Sequence, residues 1–296
     1  MKIVIKFAGA LLEDRATVQS LAEQVASLAA QGHEILVVHG GGRIFTATLK
    51  RLGIESKFVA GLRVTDRETR DVAVMVFAGL LNKQLAAAIS AAGQPAVGIS
   101  AADAECFRAE SLVHNDVEGS LGYVGYLTGV NAKLLETFWA AGIVPVAACL
   151  GLGSDGELYN INADHMAAAC AEYLQADHLI YLTDVQGVLD GDRILSGIAC
   201  DEIGDLVQRK IVSGGMVLKL EAAKRALEGG VRGVHIVGGT IPDGLVAAVC
   251  AAESSTPVFS DEVPGTRVVR EPIGVNVRVV HSAGDSVAHT AAHSAA

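Results

Sequence analysis

The chain has 296 residues, with 33 acidic against 23 basic side chains and a formal net charge of −10. Such an acidic balance argues against sequence-independent binding to nucleic-acid phosphates, which needs a surplus of lysine and arginine. With 51% hydrophobic, 19% charged and only 4% aromatic residues, the composition excludes a disordered chain and leaves a core of Ala, Val, Leu and Ile, suited to helices packed on buried parallel strands.

Lys2 to Phe7 is a short β-branched run and predicts the first strand. Val18, Leu21, Val25 and Leu28 recur at helical spacing, and Glu34 to Val38 is a second apolar run that ends in His39-Gly40-Gly41-Gly42. A helix is expected from there through Leu52. Further on, Thr65 to Ala92, Asn131 to Ala141, Ala163 to Leu174 and Gly215 to Leu227 read as helices. Pro95 to Ile99, Gly142 to Ala148 and His178 to Leu182 read as strands, and Gly151 to Gly156 as a loop. Strands alternating with helices imply an α/β fold with a mainly parallel sheet covered on both faces.

The expected organisation is an N-terminal lobe over residues 1–176 and a C-terminal lobe over 177–272 sharing one sheet, with a small polar tail over 273–296. The five cysteines (Cys106, Cys149, Cys170, Cys200 and Cys250) show neither disulfide nor metal spacing and read as buried apolar residues in a reducing compartment. The longest uncharged stretch, Thr137 to Ser154, is broken by glycines and a proline. The expectation is a cytoplasmic protein with no membrane partner.

Several local patterns can carry chemistry. In Val38-His39-Gly40-Gly41-Gly42 a strand ends, glycines turn and a helix begins. Bare backbone N–H groups there can cradle an anion, or the glycines can simply serve a tight turn. Neither a Walker lysine nor a G-x-G-x-x-G spacing accompanies them. Lys6 closes the first strand, at the end of a parallel sheet where ligands bind, or is a solvated lysine. Arg63, in Gly61-Leu62-Arg63-Val64-Thr65-Asp66, can grip a carboxylate bidentately or lie on the surface, and Thr65 or Asp66 caps the helix that follows. Asn160, Asn162 and Asp164 crowd another helix start with more polar groups than a cap needs. His39, His165 and His178 lack metal spacing and read as structural.

Taken in order, these segments resemble the amino acid kinase superfamily, and within it the acetylglutamate kinases. Leu81-Asn82-Lys83, Gly122-Tyr123-Val124-Gly125, Thr183-Asp184-Val185-x-Gly187-Val188-Leu189, Gly214-Gly215-Met216-x-x-Lys219 and Gly265-Thr266 complete the set. The resemblance implies a three-layer αβα sandwich and ATP-dependent phosphorylation of the side-chain carboxylate of N-acetyl-L-glutamate, with Mg²⁺ carried by the nucleotide and no protein metal site. It implies Lys6, Lys219 and Asp164 as catalytic residues, with Gly41, Gly42, Arg63 and Asn160 contacting the acceptor. Gly9, Asp184, Val185, Gly187, Leu189, Ile211 and Ser213 would line the nucleotide pocket. It also implies a homodimer, and because the first strand opens at Lys2 the expectation is a dimer insensitive to arginine, lacking the N-terminal helix that links dimers into rings. Two positions depart from the pattern. Ala8 stands where a glycine is usual, and Ser100-Ala101-Ala102-Asp103-Ala104 replaces a glycine-rich turn. A kinase of a related N-blocked acidic amino acid such as aminoadipate, or a non-catalytic sensor with the same fold, are the competing readings.

Overall fold

The computed structural model describes residues 1–59, 61–112, 121–253 and 264–271. The expected tail over 273–296 lies outside these. Eight strands form the main sheet: β1 (Lys2–Phe7), β2 (Glu34–His39), β3 (Ala96–Ile99), β4 (Val144–Ala148), β5 (His178–Thr183), β6 (Gly197–Ala199), β7 (Gly233–Gly238) and β8 (Thr266–Val269). Their spatial order is β6-β8-β7-β5-β1-β2-β4-β3. The six strands from β7 to β3 run parallel, whereas β8 is antiparallel to β7 and parallel to β6. Strands from both sides of residue 176 therefore share one sheet.

Helices cover both faces. Ile3, Ile5 and Phe7 of β1 face α1 (Arg15–Ala30), while Val4 and Lys6 alternate to the other side. Asp14 starts α1 by accepting from the Thr17 amide at 2.8 Å. Leu21, Val25 and Leu28 then fall on its buried stripe. The glycine turn opens α2 (Gly42–Arg51), and α3 runs from Arg67 to Ala91 with a π-helical stretch at Met75–Leu81. On the face opposite α1 lie α4 (Ala132–Ala140), α5 (Ala163–Tyr173) and α7 (Gly215–Glu228), with α6 (Ile203–Gln208) between β6 and α7; α8 (Gly244–Glu253) returns to the α1 face. Met166 through Ala171 of α5 are all buried, and their mostly small side chains let the helix lie close on β1 and α7.

Three expectations change. The Gly151–Gly156 loop is a hairpin, Leu150–Gly153 pairing antiparallel with Leu158–Asn160 inside a second, four-stranded sheet. Asn160 thus ends a strand instead of starting the helix, and Asn162 caps α5 by accepting from the amides of Asp164 and His165. Glycines hide the two-residue alternation by which a strand is recognised. Four of the cysteines are buried, but Cys250 is exposed. Helix α3 is long and apolar enough to cross a membrane by length and composition, and half of its most apolar window is buried within the fold.

Candidate active site

The chain leaves β1 for β2 on one side, whereas from β5 it goes on to β6 and then β7 on the other. The carboxyl ends of β1 and β5 therefore frame a topological switch point, where parallel sheets open a crevice. Lys6 lies at that end of β1, in register with Tyr181 of β5. Two-residue alternation turns Lys6 toward α5 and α7. The Asn162 cap places Asp164 in the first turn of α5, where the helix dipole favours an anion. Lys219, one turn into α7, arrives from the third side.

The three side chains meet on one atom. Asp164 Oδ1 accepts from Lys6 Nζ and from Lys219 Nζ, each at 2.8 Å. All three are nearly shielded from water, at 8%, 7% and 13% side-chain exposure for Lys6, Lys219 and Asp164. Burial pushes the Asp164 carboxyl up, but Lys6 and then Lys219 outweigh it and hold the group far below the usual carboxylate range. Asp164 is thus a fixed anion. Lys219 is lowered to about 8, first by burial and then by the Lys6 charge, with Asp164 opposing both. The Tyr181 hydroxyl donates to the Asp164 carbonyl at 3.1 Å, and Lys219 Nζ lies 4.7 Å from the Tyr181 ring centroid.

The glycine turn abuts the start of α5, where a Cβ on Gly40 would lie 3.2 Å from Ala163 Cβ, next to Asp164 in the chain. A Cβ on Gly9 would lie 2.8 Å from Gly41 Cα, and one on Gly41 would lie 2.1 Å from Leu81 Cδ1. Two backbones therefore touch where side chains would separate them. Ala8 has φ −67° and ψ 141°, an ordinary extended conformation, so its methyl group causes no backbone strain. The turn is braced from behind. Buried His39 bonds through Nδ1 to the Gly40 carbonyl at 2.9 Å and through Nε2 to Asn82 Nδ2 at 3.2 Å, and Asn82 also donates to the Val146 carbonyl at 2.8 Å. Burial lowers the imidazole to about 4, which keeps it neutral.

Arg63 approaches from a short hairpin. Its guanidinium is stacked between the rings of Phe45 and Phe58, at 4.7 and 4.4 Å, and donates to Ser56 Oγ at 2.5 Å and Thr46 Oγ1 at 2.7 Å. Among the described residues no carboxylate pairs with it. Such a half-buried cation, satisfied only by hydroxyls, suits an incoming carboxylate. Asn160 is reached through Thr65, whose Oγ1 accepts from Asn160 Nδ2 at 3.2 Å. Asp66 caps α3 through the Thr69 amide, which leaves the Thr65 hydroxyl available for that bond.

Of the expected nucleotide residues Gly9 lies against Gly41, and the others come from the segments that follow β5 and precede α7. Asp184 follows β5 and pairs with Arg43 of α2 at 3.2 Å. Gly187 packs against Ile194 and Thr266, and the Thr266 hydroxyl accepts from the Val188 amide at 2.8 Å. Val185 and Leu189 expose apolar surface, while Ile211 packs in the same apolar cluster as Val188. The Ser213 carbonyl accepts from the Met216 amide where α7 begins. Arg43, Tyr181, Asn82 and the bond from Thr65 to Asn160 escape the sequence reading. Asn82 is legible only as part of the Leu-Asn-Lys segment, and a buried tyrosine in an aliphatic strand is the one local signal for Tyr181. Arg43 has no local signal, because its partner lies 141 residues further along the chain.

A switch-point crevice carrying a glycine cradle and two buried ammonium groups is built for moving a phosphoryl group between anions. The comparisons agree with this class. The amino acid kinase family model matches residues 1–238. The chain is 52% identical over 248 residues to an acetylglutamate kinase of Koribacter versatilis, covering 83% of this chain and 93% of the relative. It is 46% identical to that of Acidobacterium capsulatum, covering 80% and 90%. In fold it resembles N-acetylglutamate synthase from Neisseria gonorrhoeae (TM-score 0.78, 24% identity, 92% of this chain and 60% of that one). Carbamate kinase from Giardia lamblia is also similar (TM-score 0.63, 15% identity, 91% and 98%). The chain belongs to the amino acid kinase family, within its acetylglutamate kinase branch.

Proposed function

We propose that the chain transfers the γ-phosphoryl group of ATP to the side-chain carboxylate of N-acetyl-L-glutamate. The observation that carries this reading is the convergence of Lys6 and Lys219 on one buried oxygen of Asp164, at the helix start that the glycine turn abuts. The acceptor carboxylate has a pKa of roughly 4 and is already ionised at neutral pH, so no general base is needed. The barrier is the approach of one anion to another. Backbone amides around Gly41 and Gly42 hold the attacking carboxylate, and Arg63 with Asn160 fixes the rest of the acceptor in line. Lys6 and Lys219 offset the charge that spreads over the transferring group. Asp164 orients both ammonium groups and moves no proton. Gly9, Asp184 to Leu189, Ile211 and Ser213 form the ATP side, and Mg²⁺ bound to the ATP phosphates supplies further charge neutralisation.

A coupled ADP-release assay with acetylglutamate, glutamate and N-acetylaminoadipate tests the reading. Turnover is expected with acetylglutamate and much less with the others. One methylene is worth only about 1–3 kcal/mol, so aminoadipate is the stringent comparison. Lack of turnover with all three would leave the sensor reading, which the ordinary backbone at Ala8 no longer favours.

The same proposal includes a cytoplasmic homodimer. Met75 and Leu80 on α3 are large and exposed, and Leu80 lines a groove together with Ile44, Leu85 and Ala88. Apolar surface of this kind is commonly covered by a partner.

A further inference from the structure

We infer that Thr65 is a positioning residue that sets acceptor affinity by locking Arg63 and Asn160 into one frame. This rests on the acetylglutamate reading of the site. Thr65 is completely buried, and its hydroxyl works in both directions. It accepts from Asn160 Nδ2 at 3.2 Å and donates to the Arg63 carbonyl at 3.0 Å. The backbone of the same residue fastens a third segment. Its amide donates to the Leu121 carbonyl at 2.9 Å, and its carbonyl accepts from the Tyr123 amide at 2.6 Å. The Tyr123 carbonyl in turn accepts from the Asn160 amide at 2.8 Å.

Asn160 is therefore held at two points, by its backbone through Tyr123 and by its side chain through Thr65. Gly122 makes this approach possible. Its φ is +71°, and a Cβ there would lie 2.2 Å from the Thr65 carbonyl oxygen. The hydroxyl is free for this task because Asp66 supplies the cap of α3. A capping threonine would spend its oxygen on a helix amide, whereas this one spends it on two strands of the acceptor side. Valine has the same shape and cannot make either bond. Substituting it leaves the Asn160 amide free to turn and removes one tie on the Arg63 hairpin, with the nucleotide side untouched.

The test is steady-state kinetics on Thr65→Val and Thr65→Ser, together with their melting temperatures. Thr65→Val is expected to fold and to raise the KM for acetylglutamate about tenfold or more, as for loss of a buried hydrogen-bonding group, while the KM for ATP stays near wild type. Thr65→Ser keeps the oxygen and is expected to restore the acceptor KM. Equal rises in both constants, an unchanged acceptor KM in Thr65→Val, or a Thr65→Ser variant as impaired as valine would overturn the inference. Failure of Thr65→Val to fold would also overturn it, since the hydroxyl would then serve the fold. Absence of acetylglutamate turnover in the wild-type protein is a different result and counts against the functional reading itself, together with any role of Thr65 in acceptor affinity.

Discussion

Lys219 carries the clearest pH signature. In the proposed reaction its ammonium group must be charged to offset the transferring phosphoryl, and burial together with Lys6 lowers it to about 8. As pH rises through that value the proton is lost and the charge disappears. The kcat/KM for ATP is expected to fall on the alkaline side near pH 8, since this ratio reports the free enzyme. Asp164 supports the charged form, so Asp164→Asn should move that limb to lower pH. A limb that stays put would remove Asp164 from this role. Lys6→Ala and Lys219→Ala should each lower kcat by about 10²–10³ with the fold retained, the usual cost of one preorganised charge-stabilising donor. Circular dichroism and single-turnover rates check both halves of that statement. Arg63→Ala should raise the acceptor KM by about 10–100-fold, as expected for a hydrogen bond to a charged group, and the ATP KM far less. Equal changes in the two constants would move Arg63 out of the acceptor site.

At the level of turns and helices, the two glycine-bearing turns after β1 and β2 work as a pair. Gly9→Ala drives a methyl group to 2.8 Å from Gly41 Cα. Backbone cannot yield there as a flexible side chain would, so the cradle should open and kcat should drop. Ala8→Gly should leave turnover unchanged and lower stability by no more than about 1 kcal/mol, because the residue already has an unstrained extended backbone and glycine only adds freedom to the unfolded chain. Comparing these neighbours separates steric closeness from mere position in the motif. The Ser100–Ala104 turn is closed without its usual glycines. The Asp103 carboxylate accepts from the Ser100 amide and hydroxyl, at the expense of positive φ at Ala104 and Glu105. The π-helical stretch of α3 brings Phe77 and Leu81 against Gly41, the kind of local irregularity that clusters at functional sites. No residue in Met75–Leu81 announces that widening, since its apolar spacing suits an ordinary helix.

Across the whole molecule, two features link distant parts of the sheet. Arg43 of α2 pairs with Asp184 after β5 and lies 3.9 Å from Glu13, but all three side chains are well exposed. Such a pair contributes at most about 1 kcal/mol, so it can open and close as ligands come and go. At the far end of β5 and β7, His178 and His235 meet edge to face at 5.5 Å between ring centroids, close to Arg267 and Asp177. Burial lowers His178 to about 4, with Arg267 next and Asp177 opposing. Burial followed by the charges of His178 and Arg267 lowers His235 to about 3. The unfolded chain therefore binds more protons than the folded one below the ordinary histidine value of about 6.5. Stability from this pair is whole above pH 6.5 and is lost as pH falls toward 4 and 3. Urea titrations should find roughly 1–2 kcal/mol lost per histidine by pH 5, and a shallower profile in that window for a His178→Gln/His235→Gln variant, in which buried His39 still resists protonation. Light scattering addresses assembly: the proposed dimer has twice the chain mass of 30.5 kDa, and Leu80→Glu should return it to a monomer.

The sequence by itself determined the architecture class, the buried aliphatic strands and most helix starts, because burial periodicity and capping act over a few residues. Asp14, Asn131 and Asn162 each cap the helix that immediately follows. It also supplied the residue types of the site, through segments recognisable when taken together in order. What it left out depends on contacts between segments far apart in the chain. The short strands β6 and β8 carry too few residues for a pattern and form at the sheet edge beyond β7, whose six buried residues hold that edge in place. The choice of Asp66 over Thr65 as cap was open locally; in the fold the Asp66 carboxylate takes the Thr69 amide and the Thr65 hydroxyl meets Asn160. The meeting of Lys6 with Lys219 follows from strand register and from small alanines that let α5 lie close. Those are properties of packing, which no stretch of chain possesses alone.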